Sequence, residues 1–392
     1  MKILFVTREQ KADRRYGLGK SILPVLETLA ARGHATGYLC QEDLAEATLA
    51  SWRRWHGRMQ PVLRWLNSAT NLYALSWCIL ERVAMGRLAV QHARAASYSH
   101  VHCHDPLIGL GFWLFSSRAS RPVWGVTEHG HGSYTQAMHE DGLPMTARIG
   151  RWMRRLEAFV LRRADWVISP TPAGRDALAR DLCEYPLAPH WHVVPHARPV
   201  IQFYSRDKAR QCLGWDAQTL YVVSVGRLVP LKQFPLVIET CAQVRAPQPL
   251  HLVILGEGDA AALYRHAELA GLAAMTITAT DDIGLYLAAA DVYISLTQTE
   301  SFGLANLEAL VAGLPAICTA VAGVPDVVGA GAMLIPPRPA AARQALQSLL
   351  DDADERHRLA ACARTHAAQF PDLHEVTTCY ESIYQQARPS HQ

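Results

Sequence analysis

One stretch of the chain, residues 290–315, combines a strand, a loop and a helix in an order that limits the fold. Residues 292–295 are continuously apolar rather than alternating, which is typical of a strand buried on both faces of a parallel sheet. We expect a helix to follow, with Ser301 as its N-cap and with Gly313 and Pro315 at its end. Parallel strands that alternate with helices predict the α/β class.

The length of the chain predicts two domains. A chain of 392 residues exceeds what one hydrophobic core usually serves. Apolar residues make up 50% of the chain and charged residues only 19%, which suits buried parallel strands. We place the domains at residues 1–198 and 199–371, with a linker near residues 195–205.

Charge and cysteine usage indicate the surroundings of the protein. The first 198 residues carry 25 Lys and Arg against 16 Asp and Glu, a net charge of +9, whereas the remainder has a net charge of −6. The basic half is therefore expected to face an anionic partner. Nine scattered cysteines without a CxxC pair favour reduced thiols. No apolar run approaches the roughly 20 residues that span a bilayer, so we expect a cytoplasmic protein.

Two groups of residues in the second half are suited to a phosphorylated ligand. Gly226, Arg227 and Lys232 follow an apolar strand, and both cations can pair with a diphosphate. At the start of the helix after residue 301, backbone N–H groups near Gly303 can hold an anion, between Glu300 and Glu308. The alternative is that Glu300 only complements the helix dipole and Glu308 is solvated.

These segments resemble one known family. The sequence SFGLANLEAL between and after Glu300 and Glu308 closely resembles the signature of retaining nucleotide-sugar glycosyltransferases of family four. VSVGRLVPLKQF and LVILGEGD resemble further elements of that family. The resemblance implies a GT-B fold, in which two Rossmann-like domains with parallel sheets face each other across a cleft. It also implies that a helix at residues 372–388 packs back on the first domain.

The resemblance assigns roles to particular residues. It implies that Glu300 contacts the donor sugar and Glu308 the ribose, while Arg227 and Lys232 stabilise the departing diphosphate. The expected catalytic histidine is His129, in a threonine-x-histidine context, with His131 as the rival and plain loop hydrogen bonding as the alternative. The other implied donor-binding residues are Gly226, Gly256, Gly258, Ser301, Phe302, Gly303 and Leu304.

The first domain offers candidate residues on the acceptor side. Gly17 and Gly19 follow the first strand; the GKS that ends at Ser21 is not a P-loop, because that motif needs a glycine at position 14, which is arginine. The two glycines are either cleft residues or ordinary turn glycines. His104 ends a strand, where ligands of α/β sheets bind.

We predict no metal site. We expect His102 and His104 to point to opposite faces of their strand, and so not to share an ion. Asp352 and Asp354 formally match a DxD metal motif, but they lie in a polar run at a helix start, where they compensate the dipole.

Two basic segments of the first half have an amphipathic composition. Residues 51–66 combine three tryptophans with four arginines, as in segments that lie on anionic lipid. In residues 148–163, we expect Trp152 to face the core and Arg148, Arg151, Arg155 and Arg162 to form a basic stripe on the other side. Ordinary surface helices are the alternative for both.

The expected function is transfer of a hexosyl group, with retained configuration, in the synthesis of cell-surface polysaccharide, lipopolysaccharide or glycolipid. The donor is expected to be a UDP-sugar and the acceptor a glycan or a lipid-linked molecule, with peripheral association at the inner face of the cytoplasmic membrane. We expect no cofactor and no nucleic acid partner. The alternatives are a GT-B sugar-nucleotide 2-epimerase and a non-catalytic nucleotide-sugar-binding subunit.

Overall fold

A computed structural model describes residues 1–12, 17–44, 46–66, 70–140 and 142–387. The chain divides into two compact units. Unit 1 comprises Met1–Pro195 and Leu373–Gln392, and unit 2 comprises His196–Asp372. Position 388, which we included in the returning helix, lies outside the described residues.

Unit 1 is built around a parallel six-stranded sheet. The strands are β1 (Lys2–Val6), β2 (Ala35–Leu39), β3 (His100–Cys103), β4 (Val123–Thr127), β5 (Trp166–Ser169) and β6 (Trp191–Val193), in the order β2-β1-β3-β4-β5-β6. The helices are α1 (Gly17–Ala31), α2 (Glu46–Leu66), α3 (Leu72–Ala95), α4 (Pro106–Phe115), α5 (Tyr134–Glu140), α6 (Ala147–Leu161), α7 (Pro172–Leu182) and, much later in the chain, α16 (Leu373–Gln386).

Unit 2 contains a second parallel six-stranded sheet. Its strands are β7 (Leu220–Val225), β8 (Leu250–Leu255), β9 (Met275–Thr278), β10 (Val292–Ser295), β11 (Ala316–Thr319) and β12 (Met333–Ile335), in the order β12-β11-β10-β7-β8-β9. The helices are α8 (Arg206–Leu213), α9 (Phe234–Gln243), α10 (Ala261–Ala270), α11 (Ile283–Ala289), α12 (Leu304–Val311), α13 (Val324–Val328), α14 (Pro339–Asp351) and α15 (Ala353–Ala367).

The sheet of unit 2 is buried on both faces, because successive residues of one strand enter different hydrophobic clusters. Val222 and Ile254 belong to one cluster, and Val223 and Val253 belong to the other. The middle of the central strands is therefore mostly apolar. In such sheets a ligand binds where the strand order reverses, beyond the carboxyl ends. That point lies between β1 and β3 in unit 1 and between β7 and β10 in unit 2.

Helix α16 is held on unit 1 by a polar cluster. The guanidinium of Arg32 lies 2.5 Å from Glu381 and donates to the carbonyl of His374 at 2.8 Å. The ring of His34 lies 2.8 Å from the same Glu381. The side chain of Tyr384 is fully buried beneath the helix.

Several sequence expectations need correction. Helix α1 begins at Gly17, so Gly17 and Gly19 belong to the helix and not to a turn before it. Trp152 does not face the core: 55% of its surface is exposed, on the same side of α6 as the exposed Arg148, Arg151 and Arg155. The period of α6 places Met153 and Leu156 inward.

Asp352 lies at the start of α15 and caps it, because its Oδ1 accepts the N–H of Glu355 at 2.9 Å.

None of the described helices is both long enough and apolar enough to cross a membrane.

Helices α3 and α4 approach each other closely through two glycines. A Cβ atom at Gly86 would lie 2.3 Å from the carbonyl oxygen of Ile108, and one at Gly111 would lie 2.4 Å from the carbonyl oxygen of Val83. Both neighbours are backbone atoms, so neither can move aside without shifting a helix. Only glycine at these positions permits the observed packing.

We therefore expect Gly86→Ala and Gly111→Ala to destabilise the protein by about 1–3 kcal/mol, the usual cost of overpacking. Gly57→Ala in α2 is the matched control, because a Cβ there meets no atom within 4 Å. That change should be neutral or stabilise by about 0.5–1 kcal/mol. Urea unfolding monitored by circular dichroism measures all three. Equal stability of the Gly57 and Gly86 variants would contradict the packing argument.

Candidate functional site

In unit 2 the loops after β7 and β8 pack backbone against backbone. The N–H of Leu228 donates to the carbonyl of Glu257 at 2.9 Å. A Cβ at Gly256 would lie 1.9 Å from the carbonyl oxygen of Gly226, and one at Gly258 would lie 2.7 Å from the Cβ of Leu228. Gly226 and Gly258 also have positive φ angles, of 155° and 144°. The contacts explain why three predicted donor-binding positions are glycines.

Lys232 and Glu300 form an ion pair beside these glycines. The ammonium of Lys232 donates to Oε2 of Glu300, and both side chains are largely buried. The aliphatic part of Lys232 covers Gly226, where a Cβ would lie 3.2 Å from the Cδ of the lysine. Glu300 lies next to Gly303, since a Cβ there would be 3.1 Å from the Cγ of the glutamate. These contacts connect Gly226 to Gly303 through Lys232 and Glu300, although the two glycines lie 77 positions apart in the sequence.

The start of α12 differs from the sequence expectation. The N-cap is Gly303, with φ of 80°, and not Ser301; Gly303 has no side chain with which to cap the helix. A Cβ on Gly303 would lie 2.7 Å from the amide nitrogen of Asn306, so the tight turn requires glycine. The helix begins at Leu304, as the proposed phosphate contact requires.

Two further residues predicted to bind the donor, Glu308 and Phe302, are buried, whereas Arg227, predicted to stabilise the leaving diphosphate, is exposed. Glu308 is only 2% exposed, which excludes the alternative of a solvated helix residue. The ring of Phe302 lies in a hydrophobic cluster and packs edge-on against His196 at 4.8 Å, so its backbone rather than its ring is available to a ligand. Arg227 is exposed at the end of β7.

In unit 1 the two predicted histidines of the acceptor side are in direct contact. Nδ1 of His104 lies 2.9 Å from Nε2 of His129. His104 follows β3 and His129 follows β4, and these strands are neighbours in the sheet. His131 is half-buried two residues further along the loop.

The expected orientation of His102 and His104 is wrong. Their rings stack, with centroids 4.3 Å apart and planes inclined by 21°. Side chains alternate along a strand, so residues two apart share a face. Among the described residues, however, no group of three His, Cys, Asp or Glu side chains is arranged to hold a metal ion.

Gly17 and Gly19 lie in the first turn of α1, directly after residues 13–16, which are outside the described part of the chain. The N–H of Leu18 between them donates to Glu9 at 3.2 Å. The two glycines therefore stand at the amino end of a helix that follows β1, at the edge where β1 and β3 end.

A cluster of ionisable residues near His104 was missed by the sequence analysis. Asp105 caps α4 by accepting the N–H of Leu107 at 2.8 Å, and it lies 3.6 Å from Arg82 of α3. Nε of Arg82 donates to the hydroxyl of Tyr134 at 3.0 Å. The pKa of Arg8 is raised: burial alone would lower it, but the charges of Tyr134 and Asp105 outweigh burial.

Two buried carboxyl groups adjoin this cluster. Burial raises the pKa of Glu128 well above its ordinary value, and neighbouring Glu157 and Asp105 raise it further. Burial also raises the pKa of Glu157 to about 8, although its Oε1 accepts the N–H of Tyr134 at 2.7 Å. The signal for Glu157 was present in the sequence, because it interrupts the apolar face of α6 between Met153 and Val160.

The site residues do not line the cavity of about 590 Å³ that the structure contains in unit 2. Arg206, Asp291, Leu314 and Arg364 are among the residues around that cavity. Asp291 and Leu314 precede β10 and β11, whereas Gly226 and Glu300 follow β7 and β10. The cavity and the candidate site are therefore at opposite edges of the sheet.

Two family models together match most of the chain. Residues 16–197 match the glycosyl transferase 4-like domain, and residues 205–366 match glycosyl transferases group 1. Among curated proteins, the chain is 31% identical over 320 residues to D-inositol 3-phosphate glycosyltransferase of Stackebrandtia nassauensis, covering 74% of this chain and 69% of the relative. The matched part spans about two thirds of the length of such relatives.

Solved structures share the fold at low identity. Sucrose-phosphate synthase from Thermosynechococcus elongatus has a TM-score of 0.77 at 19% identity, covering 98% of both chains. Alr3699/HepE of Anabaena, solved in complex with UDP, has a TM-score of 0.69 at 17% identity, covering 98% of this chain and all of the other. The likeness in fold supports a GT-B architecture with two Rossmann-like sheets for this chain.

The raised pKa of Glu157 predicts a specific dependence of stability on pH. The folded state keeps a proton on Glu157 up to about pH 8, whereas the unfolded state releases it near its ordinary pKa of 4.5. The stabilisation that this proton contributes is therefore fully present below about pH 4.5, and it is lost as the pH rises through about 8. Between pH 6 and pH 8 the loss should be about 2 kcal/mol, because the slope of about 1.4 kcal/mol per pH unit falls as Glu157 ionises near pH 8.

Glu157→Gln keeps the acceptor for Tyr134 but cannot ionise, so its melting temperature should fall less than that of the wild type between pH 6 and pH 8. Glu42→Gln, at an exposed position of unit 1, is the control and should behave like the wild type. Parallel curves for the wild type and Glu157→Gln would show that Glu157 is ionised in the folded protein.

Proposed function

Because the chain belongs to family four of the GT-B glycosyltransferases, we propose that it transfers a hexosyl unit from a nucleotide-diphosphate donor, with retained configuration, to a glycan or lipid-linked acceptor. The acceptor would belong to cell-surface polysaccharide, lipopolysaccharide or glycolipid synthesis. The observation that carries the proposal is the convergence of Gly226, Lys232, Glu300 and Gly303 where the strand order of unit 2 reverses. Donor binding is assigned to unit 2 and acceptor binding to unit 1.

The donor is proposed to be a UDP-sugar. A structure with the same fold was solved with UDP, which supports a nucleotide diphosphate of this type. The close packing of Gly226, Gly256 and Gly258 leaves backbone rather than side chains at the carboxyl ends of β7 and β8. Glu308 would bind the ribose.

Positive charge placed at the diphosphate would supply the main catalytic effect. Arg227, Lys232 and the N–H groups at the start of α12 would stabilise the charge that develops on the leaving group. Lys232 is neutralised by Glu300 before the donor binds, so donor binding would exchange their ion pair for contacts with phosphate and sugar. We propose that no metal or other cofactor takes part in this charge stabilisation.

On the acceptor side, His129 is the proposed catalytic histidine, with Gly17, Gly19 and His104 beside it. His129 and His104 lie where β4 and β3 end, and α1 begins at the same edge. Retention would follow the same-face mechanism implied by the family, in which the departing phosphate accepts the proton of the acceptor.

We also propose that unit 1 docks on an anionic membrane surface. On α2, Trp65 is 83% exposed and Trp55 is 58% exposed, beside the exposed Arg53, Arg54 and Arg58. Thr70, shortly before α3, accepts the N–H of Thr146 at the start of α6 at 2.8 Å. The exposed side chains that form this docking surface are Arg53, Arg54, Trp55, Arg58, Trp65, Arg148, Arg151, Trp152 and Arg155.

Aromatic rings beside arginines suit the headgroup region of a bilayer, where each basic residue contributes about 1 kcal/mol. The exposed Trp152 adds a third large ring to the docking surface. The side chain of Arg64, which belongs to the same basic segment, lies outside the described residues. Such docking would place the protein on the inner face of the cytoplasmic membrane.

The reaction itself is tested with a labelled donor and a lipid-linked acceptor. Only a transferase yields a glycosidic product. A 2-epimerase would return an isomerised sugar without an acceptor, and a binding subunit would leave the donor intact. Thermal stabilisation by a panel of nucleotide sugars identifies the donor independently of turnover.

We expect Glu308→Ala to weaken donor binding at least tenfold, whereas Arg227→Ala and Lys232→Ala should chiefly lower kcat, by about 100-fold. A ribose contact acts in ground and transition states alike, but charge on the leaving group grows only in the transition state. Donor titration and steady-state kinetics measure the two effects. Glu268→Ala, at an exposed position of unit 2, is the control. Three variants with equal loss of kcat and unchanged donor affinity would refute this division of roles.

For the docking surface, we expect cosedimentation with anionic vesicles but not with neutral vesicles, and release at high salt. Charge reversal to glutamate at Arg53, Arg54, Arg151 and Arg155 should abolish it.

The matched control reverses the same number of charges at exposed arginines elsewhere in unit 1, namely Arg87, Arg94, Arg118 and Arg180. The control should retain most of the binding. If both sets reduce binding equally, net charge rather than this docking surface is responsible. If the wild type binds neither kind of vesicle, a soluble acceptor becomes the better hypothesis.

A further inference from the structure

The contact between His104 and His129 restricts the protons that the two rings can hold. Nδ1 of His104 and Nε2 of His129 lie 2.9 Å apart. A hydrogen bond between two ring nitrogens needs one hydrogen, so one ring donates and the other accepts. With a hydrogen on both facing nitrogens the bond is replaced by repulsion, and the two rings therefore titrate as a pair.

The orientation of His104 is set by rings beneath and beside it. His104 stacks on His102 at 4.3 Å and on Phe5 at 5.2 Å. His102 is itself fixed, because its Nδ1 lies 2.7 Å from the hydroxyl of Tyr384 and its Nε2 lies 2.6 Å from the hydroxyl of Thr127.

Burial, assisted by the charge of His129, lowers the pKa of His102 to about 3. His102 is therefore neutral near pH 7 and acts as a fixed, uncharged platform for His104. The platform depends on α16, which supplies Tyr384. Among the described residues, Arg8, Asp105, Glu128, His131 and Tyr380 are further ionisable groups near these rings.

We propose that His104 is a positioning residue for the reaction: its hydrogen bond fixes the ring orientation and the protonated nitrogen of His129. The inference rests on the proposed function, in which His129 contacts the substrate. It assigns His104 an action through His129 rather than a contact with the acceptor.

Two substitutions separate the hydrogen bond from the ring packing. His104→Asn places an amide near the position of Nδ1 and can donate or accept, but it loses the ring. His104→Phe keeps the ring on His102 and Phe5 but cannot form the hydrogen bond. We expect His104→Phe to lower kcat about 10- to 100-fold, as for a misplaced catalytic group, with KM for the donor unchanged. His104→Asn should retain kcat within about threefold of the wild type.

The reverse order, with a normal His104→Phe and an impaired His104→Asn, would show that ring packing is what matters and would overturn the proposal. Melting temperatures of both variants identify losses of kcat that come from unfolding.

A second measurement does not depend on turnover. In the ¹⁵N-histidine spectrum of the wild type, assigned with His129→Ala, the ring nitrogens of His129 should titrate in two steps because His104 shares its proton. In His104→Phe they should titrate in one. A single-step titration in the wild type refutes the pairing even if every variant is inactive.

The activity of His129→Ala, compared with the spectra and with the kcat of His104→Phe, separates this inference from the proposed function. If His129→Ala remains active while the spectra show the pair, the catalytic role of His129 is wrong and the pairing stands. If His129→Ala is inactive but His104→Phe has normal kcat, the catalytic role stands and the positioning role is wrong.

Discussion

Parallel strands covered on both faces are the constraint from which the candidate sites follow. Every described strand pairing is parallel, and in unit 2 alternate residues of one strand enter different apolar clusters. Elements packed on both faces of a sheet leave little room there for a ligand, so groups that bind or react stand where strands end. All carboxyl ends of one sheet meet at one edge. Residues as far apart as Gly226 and Glu300, or His104 and His129, are brought together by this geometry alone.

The buried carboxyl groups of the two units are compensated in different ways. In unit 2, the carboxylate of Glu300 is neutralised by the ammonium of Lys232. In unit 1, Glu128 and Glu157 are buried near Asp105, and burial keeps protons on them. A cation balances a charge at any pH, whereas a bound proton does so only below the pKa. The charge balance of the Lys232–Glu300 pair therefore varies little near neutral pH, whereas unit 1 contains carboxyl groups whose charge depends on pH.

Local patterns in the sequence were sufficient for the α/β class, for most strands and for the glycines at their ends, because burial periodicity and turn chemistry act over a few residues. They failed where the outcome depends on distant contacts. Glu157 meets Tyr134, and Arg82 meets Asp105, only after α3, α5 and α6 have packed. Ser301 was a plausible cap by residue type, but the turn at Gly303 takes that place. Trp152 was expected on the apolar face of α6, but the helix turns it outward, to the side of Arg151 and Arg155.

The buried hydroxyl of Tyr384 has a consequence for how the chain matures. Its partner His102 lies 282 residues earlier, and Glu381 joins His34 across 347 residues. The contiguous segment His196–Asp372 contains all of unit 2, so this unit can fold once that segment has been made. The strands β1 to β6 precede it in the sequence, yet His102 lacks its tyrosine until α16, which follows that segment, has been made. Unit 1 is therefore begun before unit 2 and completed after it.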